Sequence, residues 1–216
     1  MTRRGPGQRA GLDRQQVLAA ARDLLASRGL DGMTMRALAE QLAVAPNTLY
    51  SHVANKTALL DEVLDDVLGA VETDGLLDGE PVDGLTRMMT STYQVLLEHA
   101  DLVPLYLARQ GARRHEAQRL GAVMIQLLAR AGVDGDRAQD AQRVLIVYTI
   151  GFAAFSSPSG SQGGQAPGPV PPSELAHSFG QGLNWLLLGV LGSPVGADLQ
   201  TGEQPNGGPR RDGGAR

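Results

Sequence analysis

MTMRALAEQLAVAPNTLYSHVANKTALL, residues 33–60, holds two short apolar-periodic segments separated by a break of a few residues. Leu38 and Leu42 stand one helical turn apart on the first segment, Leu49 and Val53 one turn apart on the second, and Val44 lies between them. Both stripes can therefore close on one small core, which leaves Asn47, Thr48, Tyr50 and Ser51 facing outward. The boundaries are marked chemically. Thr34 suits the N-cap of a helix over 35–42, and Pro46 suits the first turn of the next, where its missing N–H costs nothing. Ala39 is small where two steeply crossing helices must touch. Asn55 can cap a third helix beginning at Lys56. The ammonium of Lys56 then stands beside free N–H groups, an arrangement suited to a phosphate. The pattern predicts a DNA-reading helix-turn-helix.

Charge fits a polyanion at this end. Residues 1–60 hold eight Lys or Arg against four acids, a net +4, whereas the 216-residue chain carries −4, leaving −8 on the remainder. A basic head on an acidic body suits a protein of which one end approaches nucleic acid; unequal charge halves also arise without such a partner. Residues 1–11, with three Arg and three Gly, read as a mobile basic arm that either follows a groove or is simply a disordered terminus. The first helix starts sharply, with Asp13 and Gln16 spaced as a capping box and Leu12 placed to staple onto Val17. Val17, Ala21, Leu24 and Leu25 line its inner face, and Gly29 is the expected left-handed C-terminal residue.

Beyond the head, Leu59, Leu60, Val63, Leu64, Val67, Leu68 and Val71 make a stripe wider than the head alone can bury, so the helix over 57–71 should join head to body. Asp61, Glu62, Asp65 and Asp66 suit the dipole at its early turns and are expected to repel DNA from the body side. A Gly-, Asp- and Pro-bearing loop at 74–83 is the expected domain boundary. Helical periods then recur over 85–97, 102–108, 120–128 with a stop near Gly132, 134–155 and 173–191. No period of two persists, so strands are not expected. Residues 156–172 have the Gly, Pro and Ser content of a flexible loop, and 193–216 read as a disordered tail.

Several function classes lack a signal. Without cysteine there is neither a disulfide framework nor thiolate chemistry, and His52, His99, His115 and His177 show no i, i+4 pairing, so no metal is expected. G-x-S-x-G, P-loop and G-x-G-x-x-G motifs are missing, so no cofactor and no enzyme are expected. The N-terminus is basic but followed by an amphipathic helix rather than an apolar run, and the longest apolar run, Val144 to Phe155, is too short for a membrane span of about 20 residues. A cytoplasmic protein without a membrane partner is expected.

GLDGMTMRALAEQL (29–42) followed by TLYSHVANKTALL (48–60) resembles the N-terminal domain of the TetR family of bacterial repressors, and within it the tetracycline-repressor branch, which shares the run TLY-x-HV-x-NK-x-ALL. The resemblance covers roughly residues 12–64; past that point there is only a compatible helical pattern. It implies an all-α fold, with an N-terminal three-helix helix-turn-helix domain at 12–57 and a helical C-terminal ligand-binding and dimerisation domain at 58–192. It also implies a function: a dimeric, sequence-specific transcriptional repressor on a palindromic double-stranded DNA operator, released by a small-molecule effector. Residue by residue, it implies that Thr48, Tyr50, His52 and Lys56 hold phosphates and that Arg36 reaches a base edge or phosphate. Hydroxyls and an ammonium anchor a backbone regardless of sequence, whereas Arg can bind guanine O6 and N7 together. Thr34, Pro46, Asn47 and Ser51 complete the expected DNA-binding set. The departures fall among them. Ala43 stands where the family usually has Gly, and a left-handed turn there would cost about 1 kcal/mol. Ala45 replaces a Ser cap, and Pro46-Asn47 replaces Gln-Pro. Pro46 cannot hydrogen-bond a base but Asn47 can pair with adenine, so the operator should differ from the tetracycline one.

In this family the body helices enclose an effector pocket, for which Met89, Tyr93, His99, Tyr106, Tyr148 and Phe152 are the candidates. Taken singly each reads first as core packing, as do Met88 and Met124. The body's histidines give no counterpart of a tetracycline-type metal–drug site, so insensitivity to tetracycline with magnesium is expected. Val144, Phe155, Phe179, Leu183, Leu186, Leu187 and Val190 form more apolar face than a helix pair should expose, which a partner subunit explains better than a monomer core. The family implies a dimer through a four-helix bundle of two C-terminal helices from each chain. The competing class is a helical interaction module whose basic head binds an acidic protein or membrane surface.

Overall fold

The computed structural model describes residues 12–109, 114–156 and 170–192. These are helical, without a strand. The head comprises α1 (Arg14–Gly32), α2 (Met35–Gln41) and α3 (Pro46–Leu49), and α4 (Lys56–Leu68) leads out of it. The body holds α5 (Pro81–Glu98), a 3-10 turn at Ala100–Leu102, α6 (Val103–Ala108), α7 (His115–Arg130), α8 (Gly135–Ser156) and α9 (Pro172–Gly192). The arm expected at 1–11 and the tail expected at 193–216 lie outside the described residues. So does the interior of the loop expected at 156–172, but its two ends are helical. Ser156 closes α8, its hydroxyl 2.9 Å from that of Tyr93, and Pro172 takes the first position of α9, where a fixed φ is favourable.

Local chemistry sets the head's boundaries. Asp13 accepts from Gln16 N at 2.7 Å while Asp13 N donates to Gln16 Oε1 at 3.1 Å, a closed capping box. Thr34 Oγ1 accepts from Ala37 N at 3.1 Å, and Asn55 Oδ1 from Ala58 N at 2.8 Å. No side chain caps α3, because Ala45 stands in that position. Gly29 has the positive φ expected of it, 67°, but its ψ of −176° is extended rather than left-handed, a combination open only to glycine. The chain kinks there and turns once more to Gly32, with Met33 N donating to Gly29 O at 3.2 Å. Ala43 does adopt the left-handed turn, at φ 52°.

Head and body share one continuous core. It runs from Val17, Leu24, Leu38 and Leu49 through Val63, Leu64 and Val67 of α4 to Leu85, Leu127, Leu145 and Leu183. The expected boundary at 57/58 therefore falls within a helix that both halves use. The segment expected to divide the domains is tied to the body instead: Leu76 is buried, and Arg130 donates to Leu77 O at 2.5 Å and Gly79 O at 2.8 Å. Gly84 lets α5 approach this segment, since a Cβ there would meet Leu76 O and Leu127 Cδ2 at 2.7 Å each. α1 also touches the 3-10 turn before α6, so α4 is not the body's only contact with the head. Among the described residues no helix is long and apolar enough to cross a membrane.

Candidate nucleic-acid interface and body cavity

None of the nine expected DNA-binding residues is buried. Thr34 and Arg36 stand at the start of α2, where the Arg36 side chain is 86% exposed and its Nε meets Glu40 Oε1 at 3.1 Å. So exposed an ion pair contributes at most about 1 kcal/mol, and a phosphate or guanine could displace it. Pro46, Asn47 and Thr48 occupy α3. The chain turns on through Tyr50, Ser51 and His52, held by His52 N to Leu49 O at 2.9 Å and Ser51 Oγ to Thr48 O at 2.7 Å. Pro46, Asn47, Tyr50 and Ser51 are exposed, while Thr48, His52 and Lys56 are half-buried. Lys56 Nζ donates to Leu30 O at 3.2 Å, which steadies the ammonium and leaves two of its protons for a ligand. Arg14 fastens the end of this segment to α1 by donating to His52 O at 3.2 Å.

The acids of α4, expected to act by repulsion, are instead joined to partners on both sides. Toward the head, Asp66 pairs with Arg22 at 2.5 Å and Glu62 with Arg14 at 2.6 Å. Toward the body, Asp61 receives a two-pronged contact from Arg109, both hydrogen bonds 2.8 Å long. The second Glu62 oxygen lies 3.4 Å from Arg114, so this 9% exposed carboxylate stands between two guanidinium groups. Asp65 Oδ1 accepts from Glu116 N at 2.9 Å and Ala117 N at 3.2 Å, capping α7 from a different helix. Next to that cap, Arg119 and His115 hydrogen-bond the Glu116 carboxyl and hold it below the usual carboxylate range. The partners of the α4 acids lie so far along the chain that no local pattern could have identified them.

A cavity of about 150 Å³ lies among α4, α5, α6, α7 and α8. Of the six expected pocket residues, Met89 and Tyr106 line it. Met88 and Met124 join them, with Leu68 from α4 and the polar Thr92 and Thr149. Leu96, Ala117, Leu120, Gly121, Ile146 and Ile150 complete the wall and were not anticipated, since an apolar residue on a helix facing a cavity reads the same as one facing a core. Thr92 and Thr149 were the available signal, as polar residues on the inward faces of apolar helices. The other candidates lie elsewhere. Tyr93 stacks on Phe179 with ring centroids 4.1 Å apart, and Tyr148 and Phe152 close on the same Phe179 at 5.4 and 5.7 Å, welding α5, α8 and α9 together. Burial raises the Tyr148 hydroxyl above its ordinary pKa; the group donates to Phe179 O at 2.7 Å and sits against Gly182, where no Cβ would fit. His99 terminates α5 and does not line the cavity. Among the described residues no three His, Asp or Glu groups stand together as a metal site would need.

The expected dimer residues also divide. Phe179, Leu183 and Leu187 are buried within the chain's own core, and Leu186 and Val190 are half-buried against it. Val144 and Phe155 are exposed, as are Val147, Trp185 and Leu188, which periodicity did not single out. The outward apolar residues of the last two helices are thus Val144, Val147 and Phe155 on α8 and Trp185 and Leu188 on α9, with Phe155 71% and Trp185 69% exposed.

Residues 17–63, which span the head and the first turns of α4, match the family described as bacterial regulatory proteins, tetR family. The tetracycline repressor protein class A from transposon 1721 of Escherichia coli is 31% identical over 169 residues, 74% of each chain. A solved structure of BioQ with its double-stranded DNA operator matches with a TM-score of 0.65 and 27% identity, over 84% of this chain and 99% of that one. ActR of Streptomyces coelicolor in complex with actinorhodin matches with a TM-score of 0.71 and 25% identity, over 84% and 96%. With the family match on the head and the likeness to solved structures running through the body, the chain belongs to the tetR family of bacterial regulatory proteins and is a transcription regulator, not an enzyme.

Proposed function

We propose that this protein is a homodimeric repressor that binds a palindromic operator in the cytoplasm and leaves it when a small molecule enters the body cavity. In this reading residues 12–57 contact DNA, and 58–192 hold the effector and the partner subunit. The observation that carries it is the unburied set from Thr34 to Lys56 on a head that matches the tetR family, together with the likeness to a protein solved with its DNA operator. A recognition helix as short as α3 contacts few bases, so useful specificity needs two copies related by a two-fold axis, and the operator mirrors that symmetry. The outward apolar residues of α8 and α9 support such pairing, because so many water-facing Trp, Phe, Leu and Val side chains on two packed helices are costly in a monomer.

Release is supported by the cavity's position. Leu68, at the end of α4, is part of its wall, and Tyr106 of that wall donates to Leu64 O at 2.7 Å. A ligand that fits better when α4 is tilted would shift the dimer toward a form whose recognition helices are wrongly spaced, and a coupling of about 1–3 kcal/mol would weaken operator binding roughly 5–150-fold. Among the described residues no His, Asp or Glu lines the cavity, so operator binding should not respond to tetracycline with magnesium.

Selection of DNA from a random pool tests the reading. An enriched palindrome whose half-sites lie about one helical turn apart, or a multiple of that, is expected. Salt-sensitive binding without sequence preference would favour a module that docks on acidic surfaces instead.

A further inference from the structure

Among the described residues, the side chains that line the cavity carry three hydroxyls and no other nitrogen or oxygen group, and each hydroxyl has already committed its proton. Thr92 Oγ1 donates to Met88 O at 2.8 Å, Thr149 Oγ1 to Leu145 O at 2.9 Å and Tyr106 Oη to Leu64 O at 2.7 Å. Burial and the nearby Asp65 push the Tyr106 hydroxyl well above its ordinary range, so it stays a phenol with its proton. A hydroxyl that has donated keeps only lone pairs, so this wall can accept hydrogen bonds and has no proton to give. Among the described residues it also contains no Lys, Arg, His, Asp or Glu. An anion entering it would lose its hydration with nothing in exchange, and a cation would find no countercharge; both are strongly disfavoured in an apolar surround.

On the reading that this cavity is the effector site, we infer that the effector is a small, uncharged, mostly apolar molecule whose polar group is a hydrogen-bond donor: a phenol or an alcohol, rather than an acid or a metal chelate. A volume of about 150 Å³ suits a single six-membered ring, since a dry apolar cavity of about that size accommodates benzene. Met88, Met89 and Met124 widen the range slightly. Their unbranched thioether side chains rearrange easily, so the wall can yield to a short substituent on the ring.

The test is calorimetric titration of the full chain with three molecules of similar shape, 4-ethylphenol, ethylbenzene and 4-ethylbenzoate. Binding of 4-ethylphenol is expected, with ethylbenzene weaker by about 3–10-fold for the loss of one hydrogen bond and 4-ethylbenzoate weaker by roughly 100-fold or more. Ala117→Leu, which fills the cavity from α7, should abolish phenol binding. The ranking in the unsubstituted protein decides even if that variant fails to fold. Benzoate binding as tightly as the phenol, ethylbenzene matching the phenol, no saturable binding by any probe, or phenol binding unchanged in a folded Ala117→Leu protein would each overturn the inference. Fluorescence anisotropy on a DNA site recovered from the random pool separates the two levels. Phenol binding without loss of DNA removes ligand gating and leaves the ligand class standing. Loss of DNA on adding a charged molecule, blocked by Ala117→Leu, keeps gating and overturns the ligand class.

Discussion

Ala43 holds φ at 52°, the one positive value among the described non-glycine residues, because the turn between α2 and α3 needs it and no glycine is present. The Cβ clash of that region costs about 1 kcal/mol, so Ala43→Gly should stabilise the protein by up to about 0.5 kcal/mol after glycine's own entropic cost, a rise of about one or two degrees in a thermal melt. A clearly lower melting temperature would show that the turn is not strained. Tyr106 gives a pH signature. Its folded-state pKa is raised, so the stability that comes from burying the neutral phenol is complete below the ordinary value of 10.0 and is lost as pH climbs beyond it toward the folded-state value. The advantage of the unsubstituted protein over Tyr106→Phe in denaturant titrations should therefore be constant up to about pH 10 and shrink above it. On the head, Lys56→Ala should weaken all DNA sequences alike and lower the salt slope by about one, whereas Asn47→Ala should relax a single base position at about 1–3 kcal/mol. A changed sequence preference in the Lys56 variant would reverse that assignment.

At the scale of elements, α4 acts as a coupling rod whose two sides carry different partners. Asp66 faces α1 through Arg22, Asp61 and Asp65 face the body through Arg109 and the start of α7, and Glu62 bridges the two through Arg14 and Arg114. Arg114, at the N-cap position of α7, makes no side-chain cap hydrogen bond, and Asp65 fills the role from across the interface. Asp65→Ala removes two hydrogen bonds to backbone N–H groups at a helix start and should cost about 1–2 kcal/mol. Because the cap also locks α4 against α7, the same change should loosen the relation between cavity and head. Chemical denaturation gives the first effect; amide exchange over the first turn of α7 gives the second, and unaltered exchange there would refute the cross-helix cap.

For the whole molecule, the proposed dimer is tested on the outward apolar residues of α8 and α9. Val147 and Trp185 stand in water in the single chain, each 69% exposed, while Phe179, Leu183 and Leu187 on the opposite face of α9 are already used. If the proposed dimer forms through these residues, Val147→Glu combined with Trp185→Glu should leave the monomer folded and yield monomers in sedimentation at micromolar concentration. Operator affinity should fall by roughly 100-fold or more, since a monomer keeps only one half-site. Persistence of a dimer in the doubly substituted protein would place the interface elsewhere.

Whatever is written in local chemistry could be read directly from the chain. Asp13, Thr34 and Asn55 were recognisable as caps because a cap closes on backbone only three residues away, and Leu38, Leu49, Leu59 and Val63 were recognisable as inward-facing because a helix repeats every 3.6 residues whatever surrounds it. The helix-turn-helix, its exposed residues and the all-helical body followed from such signals. The tertiary structure decided matters that depend on distant partners. α9 is apolar around most of its circumference, so periodicity could not tell that Phe179, Leu183 and Leu187 turn inward while Trp185 and Leu188 turn outward; the rings of Tyr93, Tyr148 and Phe152 settled that orientation. The acids of α4 looked like a repulsive surface because their arginine partners lie 44 to 52 residues away along the chain. The cavity, too, exists only where five helices fail to close completely, a property of their joint packing that no single helix contains.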